Sequence, residues 1–287
     1  EGPEEAEERF KGAPGYTYTR YANPTVSVFE ERMALLEGAP VGRATASGMA
    51  AVSSVFLCCL KTGDHVVSAR ALFGACHFVV EDLLPRYGIE STLVDGLDLD
   101  QWQKAVRPNT KSFFLESPTN PTLDVMDIPA IAEVTHARGG AVVMDNTWGT
   151  PYFFRPFEHG VDVSIHAGTK YIGGHGNALG GSVTDTGHYD WTKFPNIYDN
   201  YKNVKPVMWG IQQIRKKGLR DVGATLAAEP AHRIATGAET LALRMERASA
   251  NGLALARFHI LDVGLTVYIT FLYSIPSVAL VPLIVLW

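Results

Sequence analysis

The sequence predicts an α/β domain built on a mostly parallel sheet, and three observations point there. From Tyr16 to about Gly181, segments with apolar residues at helical spacing alternate with short, continuous apolar runs. Gly, Asp or Pro bounds each run, as expected for strands buried on both faces. Glu116, Asp145 and the stretch His166 to Lys170 each follow directly on such a run. In a parallel sheet, the carboxyl ends of the strands are where a crevice opens and chemistry collects.

The elements follow in order. Asn23-Pro24-Thr25 opens a helix whose apolar positions Val26, Phe29, Met33 and Leu36 share a face, and Gly38 ends it. Ser47-Gly48 starts a second helix, running through Met49, Val52, Val55 and Leu57 to a stop near Gly63. Strands are then predicted at His65 to Ser68, Ile89 to Val94, Ser112 to Leu115, Ala141 to Met144 and Val161 to Ile165. Between the last three lie a helix at Ile128 to His136 and a turn at Gly139-Gly140. Gly237 to Phe258 is predicted as one long amphipathic helix, with Leu241, Met245, Ala248 and Leu255 on one side and Arg244, Glu246 and Arg247 on the other. The organisation is therefore an acidic lead over 1–15, a large domain over 16–236, a connecting helix over 237–258 and an apolar tail over 259–287. Leu265 to Trp287 carries no charge and could cross a bilayer by length, but Pro276 and Pro282 interrupt it and no basic flank follows. The sequence thus reads against a membrane anchor.

Composition narrows the function. Of 287 residues, 46% are hydrophobic and 19% charged, which describes a chain able to bury a large core. A net charge of -5 with no basic stripe argues against a nucleic-acid partner. Cys58, Cys59 and Cys76 form an odd set with two adjacent members, suited neither to a disulfide framework nor to zinc, and are read as buried thiols of a cytoplasmic protein. The acidic opening Glu1 to Arg9 has neither the basic region nor the apolar core of an export signal. His166 and His175 lie nine residues apart without convergent Cys or carboxylate ligands, so they read as polar packing and no metal is assigned. Trp148, Trp191 and Trp209 read as core or interface residues, and Arg215-Lys216-Lys217 as a solvated helix face.

The chemistry concentrates around one lysine. An electron sink for reactions on an amino acid needs an imine-forming lysine, an acid facing a ring nitrogen and a phosphate cradle. Lys170 sits after a predicted strand and before the glycine-rich turn Gly173-Gly174-His175-Gly176. Asp145 ends the strand Ala141 to Met144, where it could hold a pyridinium nitrogen protonated; by itself it also reads as a helix N-cap. Ser47-Gly48-Met49 opens a helix, where free amides and the helix dipole attract an anion, and Thr169 could add a hydroxyl donor.

Five stretches then carry a family resemblance: GYTYTRYANPT from Gly15, ATASGMAAV from Ala44, LESPTNP from Leu115, VVMDNTWGTPY from Val142 and HAGTKYIGGHG from His166. In this order and spacing the chain resembles the Cys/Met-metabolism enzymes dependent on pyridoxal 5'-phosphate (PLP), over roughly Tyr16 to Phe258. The resemblance implies the aspartate-aminotransferase-like type I fold, with a large domain and a truncated small C-terminal domain. It implies Lys170 as the Schiff-base lysine and proton shuttle, and Asp145 as partner of the pyridinium nitrogen. Ser47, Gly48 and Met49 would hold the phosphate in cis. Tyr18 and Arg20 would reach it from a neighbouring subunit, making a homo-oligomer, a dimer or a tetramer. Asn120 would contact the ring hydroxyl, supported by Glu116. Three departures stand out. Phe73 occupies the place of a stacking tyrosine, so it can stack but cannot donate a phenolic proton. Ala167 replaces a serine, removing one phosphate hydrogen bond worth about 1 kcal/mol. No arginine follows Arg257, although the family clamps the substrate carboxylate with a C-terminal one.

The activity so implied is γ-replacement on an O-acylhomoserine by sulfide or a thiol, forming homocysteine or cystathionine in methionine biosynthesis. Asp190-Trp191, Lys193-Phe194-Pro195, Ala238 to Arg247 and Phe73 resemble the sulfhydrylases in particular. A C–S lyase, acting on methionine or cystathionine, shares the same lysine, aspartate and phosphate cradle. A catalytically incomplete PLP-binding fragment and a membrane-attached scaffold are the other readings.

Overall fold

A computed structural model describes residues 2–11 and 13–257. The apolar tail, and with it any membrane role for Leu265 to Trp287, lies outside those residues.

Seven strands form one sheet: β1 (Val41–Thr45), β2 (His65–Ala69), β3 (Glu90–Val94), β4 (Thr110–Glu116), β5 (Ala141–Asp145), β6 (Val163–His166) and β7 (Gly181–Asp185). Their spatial order is β1-β7-β6-β5-β4-β2-β3. β7 runs antiparallel to both β1 and β6, while β2 to β6 pair in parallel. The mostly parallel α/β architecture is therefore as predicted. β1 and β7 were not predicted, because VGRAT and GSVTD contain no continuous apolar run. They are strands because each supplies the other's hydrogen bonds, in register from Val41 opposite Asp185 to Thr45 opposite Gly181. Val161 falls short of β6, its amide donating instead to the Pro156 carbonyl at 3.2 Å.

The first predicted helix spans Pro24–Glu37: the Asn23 side chain accepts from the amides of Thr25 and Val26, and Gly38, at φ 71°, closes it in the left-handed region. Its face of Val26, Phe29 and Met33 packs on Leu226, Ala231 and Ile234. The second spans Gly48–Cys59, capped by Ser47 Oγ accepting from Ala50 N at 3.0 Å. It stops at Leu60, short of Gly63, and buries Ala51, Val52, Val55 and Phe56 while Leu57 turns outward.

Strand alternation sorts the core. Phe114 packs on one face of the sheet, edge-on to Phe56 with ring centroids 5.1 Å apart. Phe113 and Leu115 pack on the other with Trp102, Ile128 and Met144. The helix Ile128–His136 has the predicted bounds. The long helix does not form as one piece: a helix at Ala228–Ala238 is followed by a second at Leu241–Arg257. Gly237 belongs to the first, and its backbone lies so close to the Gly173 carbonyl that a Cβ there would strike it. Leu241 and Met245 are buried, as their spacing suggested.

The acidic lead contains an exposed helix, Pro3–Phe10. Trp191 is buried, its indole donating to Asp185 at 2.8 Å. Arg215-Lys216-Lys217 is half-buried, not a freely solvated face, because Arg215 turns inward to donate to the Tyr21 carbonyl at 3.3 Å. All three cysteines are free thiols, Cys59 and Cys76 buried and Cys58 half-buried. Among the described residues, no helix is long and apolar enough to cross a membrane.

Phe114 is fully buried and bears on the aromatic contact between sheet and helix. Phe114→Ala is expected to lower unfolding free energy by about 3–5 kcal/mol, measured by denaturant unfolding.

Candidate active site

Parallel register brings the acids together at the carboxyl ends of the strands. Glu116 at the tip of β4 lies opposite Asp145 at the tip of β5, and Asp145 lies opposite Ile165, one residue before the end of β6. Thr147 ties these tips together. Its amide donates to Asp145 Oδ1 at 3.0 Å, and its hydroxyl accepts from the Ala167 amide at 2.8 Å. The Asp145 carboxyl is thus fixed to the start of the segment that carries Lys170.

Burial pushes the pKa of Asp145 up, against the opposing pull of its hydrogen bonds to Thr147 and the nearby His166. Glu116 is buried and pushed up to about 8, first by desolvation and then by the charge of Asp145. Its two oxygens bridge separate loops: Oε2 accepts from Phe73 N at 2.7 Å and Oε1 from Asn120 N at 3.1 Å. Cys76 lies close enough to both acids for their charges to raise its thiol further, and its sulfur contacts Met49 Sδ at 3.8 Å. Phe73, Cys76 and Met49 therefore gather around the acid pair.

Lys170 follows β6 in a tight turn. Its amide donates to the Ala167 carbonyl at 3.1 Å, and its carbonyl accepts from Gly174 N at 2.7 Å. Gly174 and Gly176 sit at φ 71° and 61°, left-handed values that glycine adopts without strain. The Lys170 side chain is half-buried, and its amine makes no hydrogen bond or ion pair with any described residue. Three residues before it, Ala167 meets the start of the helix Gly48–Cys59. A Cβ on Gly48 would stand 2.7 Å from Ala167 Cβ, so only glycine lets this helix end approach the lysine segment. The Gly48 and Met49 amides lie in the first turn, where no helix carbonyl can receive them.

Not every expected residue joins this group. Ser47 Oγ caps its own helix at Ala50. The Thr169 hydroxyl turns to Gly180, donating to the carbonyl and accepting from the amide, both at 3.2 Å. Tyr18 is exposed, and Arg20 lies over the rings of Tyr18 and Tyr21 while donating to the Arg220 carbonyl. His166 is buried against Glu37 and Ser164, and His175 Nδ1 meets the Gly173 carbonyl at 2.7 Å, so both are polar packing. Among the described residues, no group of His, Cys, Asp and Glu could hold a metal ion. Sequence reasoning passed over Thr147 and Cys76. Thr147 lay within a quoted stretch, but nothing in one sequence distinguishes a clamp from a turn residue.

A half-buried lysine without a partner among the described residues, a desolvated acid without a described lysine or arginine beside it, and first-turn amides open to an anion fit PLP by the chemistry of their donors. Fold and donor set together are those expected of the type I PLP-dependent class. The comparisons narrow this further: a sequence model described as Cys/Met metabolism PLP-dependent enzyme matches residues 3–263, and the chain belongs to that family. An O-succinylhomoserine sulfhydrylase from Mycobacterium tuberculosis is 41% identical over 254 residues, covering 88% of this chain and 57% of that protein. An L-methionine gamma-lyase from Porphyromonas gingivalis is 36% identical, covering 89% and 59%. The fold is shared with an O-acetylhomoserine (thiol)-lyase structure from Campylobacter jejuni that contains a pyridoxyl-lysine phosphate, at TM-score 0.81 and 33% identity, covering 90% of this chain and 66% of that one. The chain thus spans under two thirds of the length of these relatives.

The raised pKa of Glu116 makes a signed prediction. Its carboxyl stays protonated in the folded state while the unfolded one ionises, so the folded state binds more protons between the ordinary carboxylate range and about 8. Stability is therefore expected to be greatest at the acid end of that window and to fall as pH rises toward 8. Glu116→Gln is expected to flatten this dependence, which denaturant unfolding at a series of pH values would reveal; an unchanged slope would assign it to another group.

Proposed function

We propose that this chain holds the PLP-binding half of a γ-replacement enzyme, which exchanges the acyl group of an O-acylhomoserine for sulfide or a thiol. The observation that carries this reading is that the segment leading to Lys170 meets both the Asp145 strand end, through Thr147, and the helix start at Gly48, through Ala167. Bound there, PLP would supply an electron sink for negative charge at the α and β carbons of the substrate.

The residues divide the remaining tasks. The amides of Gly48 and Met49 bind the phosphate, helped by the helix dipole. Asp145, already disfavoured as an isolated buried anion, gains a cationic partner when it keeps the ring nitrogen protonated. Lys170 Nζ would hold the cofactor, and the same amine could move protons at the substrate carbons. Phe73 would lie against the cofactor ring, and since it has no hydroxyl, the proton work would fall to Lys170. Glu116, neutral through much of the neutral range, holds the Phe73 and Asn120 amides, so that Asn120 faces the ring hydroxyl. Ser47 and Thr169 border the phosphate through the helix cap and the lysine segment. Tyr18 and Arg20 would complete the phosphate site of a neighbouring copy; the exposure of Tyr18 supports this. The working form is then a homo-oligomer, a dimer or tetramer, and three free thiols favour the cytoplasm.

The sulfhydrylase relative favours replacement, and the methionine gamma-lyase relative supports elimination as the second reading. O-succinyl- and O-acetylhomoserine with sulfide should yield homocysteine faster than methionine or cystathionine is cleaved; the reverse order would select the lyase. Lys170→Ala is expected to abolish the pyridoxyl adduct found by mass spectrometry after borohydride reduction, and to lower turnover by about 10³-fold or more. An adduct on another lysine, or none on the native protein, would sink the site assignment.

A further inference from the structure

We propose that Arg244 is a positioning residue for Lys170, gripping the backbone turn that follows the lysine. This rests on the reading of Lys170 as the cofactor lysine. Arg244 lies in the first turn of the helix Leu241–Arg257, next to the end of the helix Ala228–Ala238. Its half-buried guanidinium donates from Nη1 to the Tyr171 carbonyl, and from Nη2 to the carbonyls of Ile172 at 3.2 Å and Gly237 at 2.7 Å. Nε is held by the Thr240 hydroxyl at 3.0 Å. One planar fork therefore joins the two residues after Lys170 to the Gly237 carbonyl at a helix C-terminus, where a cation is favoured.

The surroundings are shaped for this contact. A Cβ on Gly174 would drive into the guanidinium, and one on Gly237 would strike the Gly173 carbonyl. Gly174 N in turn donates to the Lys170 carbonyl at 2.7 Å, so the turn closes on the lysine while Arg244 grips its middle. No described carboxylate forms an ion pair with Arg244; both terminal nitrogens are directed to backbone oxygens and Nε to the Thr240 hydroxyl. A few residues further along the same helix, Glu246 meets the Tyr152 hydroxyl, on the helix Thr150–Phe153 that follows the Asp145 strand. The helix leading out of the domain thus touches both the lysine and the aspartate segments.

A displacement of the amine by about 1 Å can slow a reaction about 100-fold without any loss of binding, which separates positioning from simple support. The test uses PLP itself and the full chain. Non-covalent affinity is measured by tryptophan quenching in Lys170→Ala, with and without Arg244→Lys. The rate of covalent capture is measured in the presence of Lys170, for native protein, Arg244→Lys and Arg244→Ala. In capture, Nζ attacks the aldehyde carbon, the carbonyl oxygen leaves as water, and borohydride adds hydride to the new carbon–nitrogen double bond for detection by mass spectrometry.

Lysine keeps the charge but cannot span three carbonyls. Arg244→Lys is expected to leave affinity within about twofold while slowing capture about tenfold or more. Capture at the native rate would overturn the proposal, and so would an equal fall in affinity and rate. If Arg244→Ala does not fold, Arg244→Lys alone decides. Failure of the native protein to form an adduct at Lys170 would be a distinct result, removing the underlying reading and this one with it.

Discussion

The parallel pairing of β4, β5 and β6 is the constraint on which the site depends. In that register Glu116 and Asp145 stand side by side, and the chain leaving β6 must turn directly above them. Thr147 converts this proximity into a fixed geometry, because its amide and hydroxyl engage Asp145 and Ala167 at once. Gly48 completes the arrangement from the opposite side by allowing a helix start to touch Ala167.

This geometry sets an electrostatic problem. Two carboxyl groups at adjacent strand tips are both disfavoured as anions, by loss of water and, for Glu116, by the other's charge. The protein resolves half of it by giving Glu116 two amide donors on separate loops, which makes a buried acid the bridge between Phe73 and Asn120. Asp145 has hydrogen bonds to Thr147 but no lysine or arginine partner among the described residues. A cationic ring nitrogen answers that need, and the same low-dielectric surroundings that penalise the lone acid strengthen the pair it would form.

Much of this was legible before the fold. Asp145 and Lys170 each followed an apolar run bounded by turn residues, and those runs became β5 and β6. The Asn23 and Gly38 signals marked the ends of a helix correctly because capping is local chemistry. β1 and β7 escaped notice because VGRAT and GSVTD have no pattern of their own and become strands only by pairing across the chain. The helix predicted from Gly237 broke after Ala238 for a similar reason, since close approach to Gly173 and the grip of Arg244 lie outside any periodicity. Arg215 looked like part of a solvated charge run until its contact with Tyr21 was visible.

The sequence by itself determined the class of fold, the central strands and the ends of the Pro24–Glu37 helix, because side-chain period and capping act over a few residues. Tertiary structure alone decided which distant groups share a hydrogen bond: Glu116 with Phe73, Thr147 with Ala167, and Arg244 with Tyr171 and Ile172. Such pairs depend on strand register and on close backbone approach at glycine. These are consequences of the whole chain packing at once, and no local stretch encodes them.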